Sequence, residues 1–171
     1  MTGLPLGVAV AVPDPWGAEL EAWRTSFGDP AVADVPAHIT LLPPTTVDND
    51  LLAEVELHLA SVATRVPAFD VELRGSGTFR PVSPVVFVAL AAGIAGCERL
   101  EAAVRGGVLA RDLDFPFHPH VTVAHHLSED VLDRAYAALA DFSARFTVRE
   151  FVLYTHDEGV WSPHRTCALA G

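Results

Sequence analysis

The chain has 171 residues, of which 50% are hydrophobic and 19% are charged, and its formal net charge is −11. This length fits one domain with a sizeable core, and this composition excludes intrinsic disorder. The negative charge argues against a surface that follows a long nucleic acid, because such surfaces need a basic stripe for phosphate contacts. We therefore expect a small ligand, or a short end of a nucleic acid, bound in a local groove.

Strand-like and helix-like runs alternate along the chain. Strands are predicted at residues 6–12, 37–42, 69–74, 85–91, 120–125, 146–155 and 160–169. Helices are predicted at residues 15–27, 48–65, 94–105 and 128–142, the last with Ser128 as its N-cap. Residues 75–84, GSGTFRPVSP, are rich in turn formers and are predicted to connect two similar halves.

The N-terminal run LPLGVAVAV is too short to span a bilayer and has no preceding Lys or Arg, so a buried strand is favoured over a signal peptide. The two cysteines, Cys97 and Cys167, form no disulfide framework and are predicted to be buried thiols. These features predict a cytoplasmic protein without a membrane partner, and we expect it to be a monomer.

One motif occurs at equivalent strands of the two halves. His38-Ile39-Thr40 lies on the second predicted strand of the first half, and His120-Val121-Thr122 lies on the second predicted strand of the second half. Residues i and i+2 of a strand face the same side, so each motif presents one imidazole and one hydroxyl together. The spacing alone is weak evidence, because 126–128 and 164–166 also read His-x-Ser/Thr. Placement on equivalent strands favours the first two.

Paired His and Thr side chains suit the chemistry of a phosphodiester. One neutral and one protonated imidazole can act as general base and general acid near neutral pH. Two Thr hydroxyls can donate hydrogen bonds to the non-bridging phosphate oxygens, where charge collects in the transition state. This set needs no cofactor or metal.

The sequence resembles the 2H phosphoesterase superfamily, in particular its branch similar to 2′-5′ RNA ligases and cyclic phosphodiesterases. AHITLL and FHPHVTVAH match the two His-x-Thr/Ser motifs of that family, and GSGTF is similar to a turn between its lobes. The resemblance implies an α+β fold of two pseudo-symmetric lobes, at about residues 1–75 and 76–171, around a central cleft. Each lobe would have a mainly antiparallel sheet with helices outside, and the lobes could exchange strands. It also implies His38 and His120 as catalytic residues, with Thr40 and Thr122 binding phosphate.

Other residues allow other interpretations. His118, His120, His125 and His126 could form a metal site, but no nearby carboxylate or thiol completes a recognisable ligand spacing, so His118, His125 and His126 are predicted at the surface or rim. Arg80 follows the predicted turn and is a weaker candidate for phosphate binding. Core packing is favoured over base stacking for Tyr154 and Trp161.

The sequence thus predicts an enzyme that hydrolyses a small cyclic phosphodiester, such as a nucleoside 2′,3′-cyclic phosphate, without metal. The first alternative is RNA-end chemistry, in which the same site joins RNA ends in a 2′-5′ linkage. The second is a module that binds a nucleotide phosphate without turning it over. The fold by itself does not decide among these functions.

Overall fold

The structure is a computed structural model that describes residues 3–30 and 35–171. The strands are β1 (Gly3–Ala11), β2 (His38–Asp48), β3 (Phe69–Thr78), β4 (Val85–Ala92), β5 (His120–His125), β6 (Ser143–Val148), β7 (Glu150–Asp157) and β8 (Val160–Ala168). The α-helices are α1 (Trp16–Phe27), α2 (Leu52–Arg65), α3 (Ile94–Val104) and α4 (Glu129–Ala138). Within the described ranges, no helix is long and apolar enough to cross a membrane.

The strands form one sheet in the order β6-β3-β4-β5-β2-β1-β7-β8, and neighbouring strands are antiparallel. The predicted α+β class is confirmed. β3 comes from the first half of the chain but pairs with β4 and β6 of the second half, whereas β7 pairs with β1. The division into two lobes stays a prediction. The strand order brings β2 and β5 together at the centre of the sheet.

One hydrophobic core joins the helices to the strands. The stripe predicted for the second helix is buried on α2 as Val55, Leu59 and Val62. Along β2, Ile39 and Leu41 belong to the same core. Since side chains alternate along a strand, the residues between and before these two face the opposite side of the sheet. The core therefore fixes which side chains of β2 remain available for chemistry.

The helix ends follow from local sequence. The Ser128 side chain accepts a hydrogen bond from the Val131 N–H at 3.4 Å and caps α4, which confirms the predicted N-cap. Gly28 ends α1 with a φ of 83°, a left-handed conformation that glycine adopts without steric cost. This turn starts the segment that returns the chain towards β2.

The predicted turn at residues 75–84 is wrong in its first part, because β3 continues to Thr78. Gly75 has a φ of 74° and lies at a register shift between Leu73 and Ser76, so it forms an irregularity inside the strand. Gly77 leaves space for the Phe87 ring, since a Cβ atom there would lie 2.5 Å from that ring. The glycines therefore mark a distorted strand, and the turn begins after it.

The single strand predicted at residues 146–155 is also wrong. This region contains the end of β6 and most of β7, with Arg149 between them. β6 pairs with β3 and β7 pairs with β1, so the two strands lie in different parts of the sheet. No Gly or Pro interrupts residues 146–155, and long-range pairing decides the break.

Candidate active site

The two motifs meet where β2 and β5 pair. Ile39 of β2 lies opposite Val121 of β5, and both are fully buried in the core. These are the middle residues of the two His-x-Thr motifs. The antiparallel register therefore places the His of each motif opposite the Thr of the other, on the face of the sheet away from the core.

Both imidazoles are held in the same way. The Nδ1–H of His38 donates to the carbonyl oxygen of Pro36 at 2.7 Å, and the Nδ1–H of His120 donates to that of His118 at 2.6 Å. A carbonyl oxygen only accepts, so Nδ1 carries the proton in each ring. The free Nε2 can then take a proton when the ring is neutral or give one when it is charged. The backbone two residues before each His thus fixes its tautomer.

Aromatic rings surround His120. Its ring centroid lies 5.0 Å from that of Phe79 and 5.1 Å from that of Phe87, with the His118 ring at 5.6 Å. Phe79 meets the imidazole edge-on, at an interplanar angle of 89°. These rings limit the water around His120 and hold its orientation.

Burial sets the protonation of the pair. It lowers the pKa of His38 below its ordinary value of 6.5, and the charge of Arg24 lowers that pKa further. Burial also lowers the pKa of His120, and the charges of His118 and His38 act in the same direction. In each ring the hydrogen bond to the backbone carbonyl opposes part of the shift. The two imidazoles therefore titrate as a coupled pair on the acid side of free histidine.

A cavity of about 810 Å³ opens over this face of the sheet. Its wall includes three of the four predicted motif side chains, namely His38, Thr40 and Thr122. His120 does not line the cavity, and its ring contacts those of Phe79 and Phe87. His120 still lies close enough to His38 for their charges to interact.

A buried ion pair forms another part of the wall. Arg24 of α1 is 4% exposed, and its Nε donates to Asp29 Oδ2 at 3.1 Å. Its Nη1 donates to the Val35 carbonyl oxygen at 2.9 Å. The guanidinium therefore joins the end of α1 to the segment before β2 and places a cation near His38.

An aromatic and apolar region completes the wall. Tyr154 of β7 is 5% exposed, Trp161 of β8 is half-buried, and both line the cavity beside Ala9 and Val35. These residues pack with Val152 in a small cluster separate from the main core. The predicted core packing of Tyr154 and Trp161 thus occurs in a cluster that faces the cavity.

Other candidates are placed elsewhere. Arg80 Nη1 donates to Glu129 Oε2 at 3.0 Å and to Asp133 Oδ1 at 2.8 Å, and Arg80 is outside the cavity wall. Its phosphate contact stays a prediction. His164, from the fourth His-x-Thr match, pairs through Nε2 with Glu56 Oε1 at 2.5 Å and does not line the cavity.

The His-rich stretch divides between two places. His118 is exposed and packs at the edge of Phe79 and Phe87, whereas His125 and His126 are exposed at the rim of the cavity. In residues 3–30 and 35–171, no group of three or more His, Cys, Asp or Glu is arranged to hold a metal ion. Of these three histidines, His125 and His126 therefore line the cavity and His118 does not.

Sequence reasoning missed Arg24, and it did not assign Tyr154, Trp161 or His125 to the site. Arg24 lies on the face of α1 that carries Leu20 and Phe27 into the core, and a cation among apolar helix positions was the available signal. Tyr154 and Trp161 come from β7 and β8, and no local pattern indicates that they converge on the site. His125 lies on β5 itself, but simple alternation from Thr122 would point it away from the cavity.

The lowered pKa values predict the pH dependence of any acid–base reaction at this pair. The rate requires one neutral and one protonated imidazole, so kcat/KM should follow a bell-shaped curve. Because both pKa values lie below 6.5, the alkaline limb should begin below about 6.5, where the acid loses its proton. A kcat/KM profile between about pH 4.5 and 9 measures this. A curve still rising above about pH 7 would contradict the prediction.

Comparison with known proteins adds to this geometry. Residues 12–160 match the family model described as the 2′-5′ RNA ligase superfamily. A protein of Bacillus licheniformis, provisionally named a phosphoesterase, is 30% identical over 144 residues, which cover 82% of this chain and 85% of that protein. A similarly named Bacillus cereus protein is 29% identical over 146 residues, covering 82% and 83%. The crystal structure of E. coli LigT complexed with 3′-AMP has a TM-score of 0.72 and 22% identity, and covers 99% of this chain and 100% of that chain.

Proposed function

The chain belongs to the 2′-5′ RNA ligase superfamily, and on that premise we propose that it is a phosphodiesterase that hydrolyses a nucleoside 2′,3′-cyclic phosphate to a monoester. Its relationship to proteins named as phosphoesterases places it in that chemical class. The observation that carries the specific reaction is the pairing of two His-x-Thr motifs on adjacent strands beside one cavity, with both Nδ1 atoms bonded to backbone carbonyls.

In the proposed reaction His38 and His120 share the acid and base roles. The neutral imidazole takes a proton from water through Nε2, and the water oxygen forms a bond to phosphorus. The bond from phosphorus to one ribose oxygen breaks, and the protonated imidazole gives its proton to that oxygen. The product is a 2′- or a 3′-monoester. Each imidazole then exchanges a proton with solvent, which restores the starting state without a metal or cofactor.

The Thr hydroxyls and the charges of the wall complete the phosphate site. Thr40 and Thr122 lie beside the two imidazoles and can donate hydrogen bonds to the non-bridging oxygens. The overall charge of −11 is not reproduced at the cavity. In the part of the wall that the structure describes, the one carboxylate is Asp29, which is paired with Arg24. The described wall therefore has no unpaired carboxylate that would repel an anionic ligand.

The apolar part of the wall suits a nucleoside. E. coli LigT has been crystallised with 3′-AMP, with NADP+ and with ATP, all of which contain adenine. In this chain, Trp161 lies over Gly7, where a Cβ atom would be 3.9 Å from the indole. A half-buried indole beside Tyr154 offers a surface on which a base can stack while the phosphate reaches the Thr hydroxyls.

Replacing Trp161 with Ala should weaken binding of the nucleoside. Loss of a base–aromatic stack costs about 1–3 kcal/mol, which corresponds to a rise in KM of about 5- to 150-fold. Steady-state kinetics with adenosine 2′,3′-cyclic phosphate measure the effect. Val160→Ala is the matched control, because Val160 precedes Trp161 on β8 and is 55% exposed. Equal KM values for Trp161→Ala and wild type would contradict the stacking role.

The family name favours one alternative, the joining of RNA ends in a 2′-5′ linkage. By microscopic reversibility, a ribose hydroxyl of a second RNA can replace water at the same phosphorus. A direct test incubates the protein with 2′,3′-cyclic nucleotides and, separately, with RNA ending in a cyclic phosphate plus a 5′-hydroxyl RNA. We expect the cyclic nucleotides to be hydrolysed. Joined RNA without hydrolysis would favour the ligase, and tight binding without any product would favour a binding module.

A further inference from the structure

An extra residue in β5 turns one more histidine into the cavity. Thr122 pairs with Phe87 and Ala124 pairs with Val86, so β5 advances two residues where β4 advances one. Without this bulge, alternation from Thr122 would aim Ala124 at the cavity. Instead Ala124 is fully buried in the core and His125 lines the cavity. Bulges of this kind re-aim side chains beside active sites.

The next residue has an unusual backbone that adds a second imidazole. His126 has a φ of 56°, in the left-handed region that few residues other than glycine adopt, although asparagine, aspartate and histidine do so more often than the rest. Its N–H donates to the Pro84 carbonyl oxygen at 3.1 Å, which holds this conformation. The rings of His125 and His126 stack with centroids 3.7 Å apart and an interplanar angle of 29°. Both residues line the cavity.

The charged groups in the cavity wall around this stack balance each other, because Arg24 pairs with Asp29. Burial and the charge of His126 lower the pKa of His125, and the Asp29 carboxylate opposes this shift. Among the described residues of the wall, the other charged or titratable groups are Arg24, His38 and Tyr154. On α4, Glu129 lies near the stack in sequence, and its carboxylate accepts from Arg80. Two stacked imidazoles repel each other when both are protonated. An anion in the cavity that accepts hydrogen bonds from their N–H groups offsets that repulsion.

We propose that His125 and His126 form a second anion subsite, which binds a phosphoryl group one nucleotide unit to the 5′ side of the cyclic phosphate. The inference rests on the proposed function and specifies its substrate. Two residues of β5 lie between Thr122 and His125, and the three steps correspond to about 10 Å along a regular strand. The bulge shortens this separation, and the side chains span part of it. The remaining distance is comparable with the spacing of successive phosphates in a nucleotide chain. The substrate class is therefore a 2′,3′-cyclic nucleotide that carries a second phosphate.

The test compares three substrates. Adenosine 2′,3′-cyclic phosphate has one phosphate, its 5′-phosphorylated form has a second as a monoester, and the dinucleotide ApA with a terminal cyclic phosphate has a diester there. We expect the second phosphate to raise kcat/KM about tenfold at pH 6. A larger gain for the 5′-phosphorylated substrate would identify a free 5′-phosphate as the group that the subsite binds. A larger gain for the dinucleotide would identify the phosphodiester to a preceding nucleotide.

The variants are His125→Gln and His126→Asn, because Asn tolerates the left-handed backbone of residue 126. In both, we expect the ratio of kcat/KM with and without the second phosphate to fall to about one. His164→Ala, whose imidazole pairs with Glu56 away from the cavity, should keep the wild-type ratio. A wild-type ratio of about one, or an unchanged ratio in both variants, would overturn the subsite.

Binding separates this inference from the proposed function. If no substrate is hydrolysed, the proposed function fails, and calorimetry with adenosine 2′-phosphate and adenosine 2′,5′-bisphosphate tests the subsite alone. Tighter binding of the bisphosphate by the wild type, lost in both variants, would support the subsite. Equal binding of the two ligands by the wild type would refute it.

Discussion

His120→Ala and His38→Ala are each expected to lower kcat for a 2′,3′-cyclic nucleotide by about 10²- to 10⁴-fold, the usual contribution of one general acid or base. Each imidazole presents one free Nε2, because its Nδ1 is held by a backbone carbonyl. Alanine removes that nitrogen and leaves no other titratable group bonded to the same carbonyl. Single-turnover and steady-state rates of monoester formation measure the loss.

A matched control exists within the chain. His164 also begins a His-x-Thr triplet, but it lies on β8 and its Nε2 pairs with Glu56. His164→Ala should therefore retain nearly the wild-type kcat. The double variant of His38 and His120 should lose little more than the worse single variant, because the two residues act as a unit. Full activity in either single variant would exclude that residue from catalysis.

Arg24→Ala is expected to destabilise the fold by about 3–5 kcal/mol, the range for breaking a buried ion pair by removing one partner. The side chains of Arg24 and Asp29 are only 5% and 6% exposed, so the substitution leaves the Asp29 carboxylate buried without its guanidinium partner. It also removes the hydrogen bond to the Val35 carbonyl oxygen. Urea unfolding followed by circular dichroism measures the free energy of unfolding.

Two further variants show whether that loss of stability comes from the broken ion pair. Arg149→Ala removes an exposed arginine and should change the free energy of unfolding by less than about 0.5 kcal/mol. Combining Arg24→Met with Asp29→Leu removes both charges and should be less destabilising than Arg24→Ala alone. A loss below about 1 kcal/mol for Arg24→Ala would show that the ion pair does not hold the end of α1.

The sequence was most informative where local pattern and tertiary structure agree. β5 has the predicted bounds, and β2 begins within one residue of its prediction, because apolar residues alternate with His and Thr in both. With the same alternation, Ile39 and Val121 point into the core. The same pattern allowed the two motifs to be identified as a pair, and the sheet places them on adjacent strands.

The features that the sequence did not predict depend on pairing between strands that are distant in the chain. β2 continues beyond the predicted residue 42 through Pro43 and Pro44, residues that normally argue against a strand interior. They are accommodated at a register shift, where β1 advances from Leu6 to Val8 while β2 moves from Thr45 to Leu42. The bulge that turns His125 into the cavity is likewise set by pairing with β4. Neither feature has a signature in its own segment.

Hydrolysis of adenosine 2′,3′-cyclic phosphate by the wild-type protein after exhaustive treatment with EDTA, followed by phosphorus NMR, tests the central claim most directly. Two imidazoles that supply both proton transfers predict continued turnover to a monoester, and the product isomer identifies the leaving oxygen. Loss of turnover that returns only when a divalent metal is added would contradict the paired-histidine mechanism.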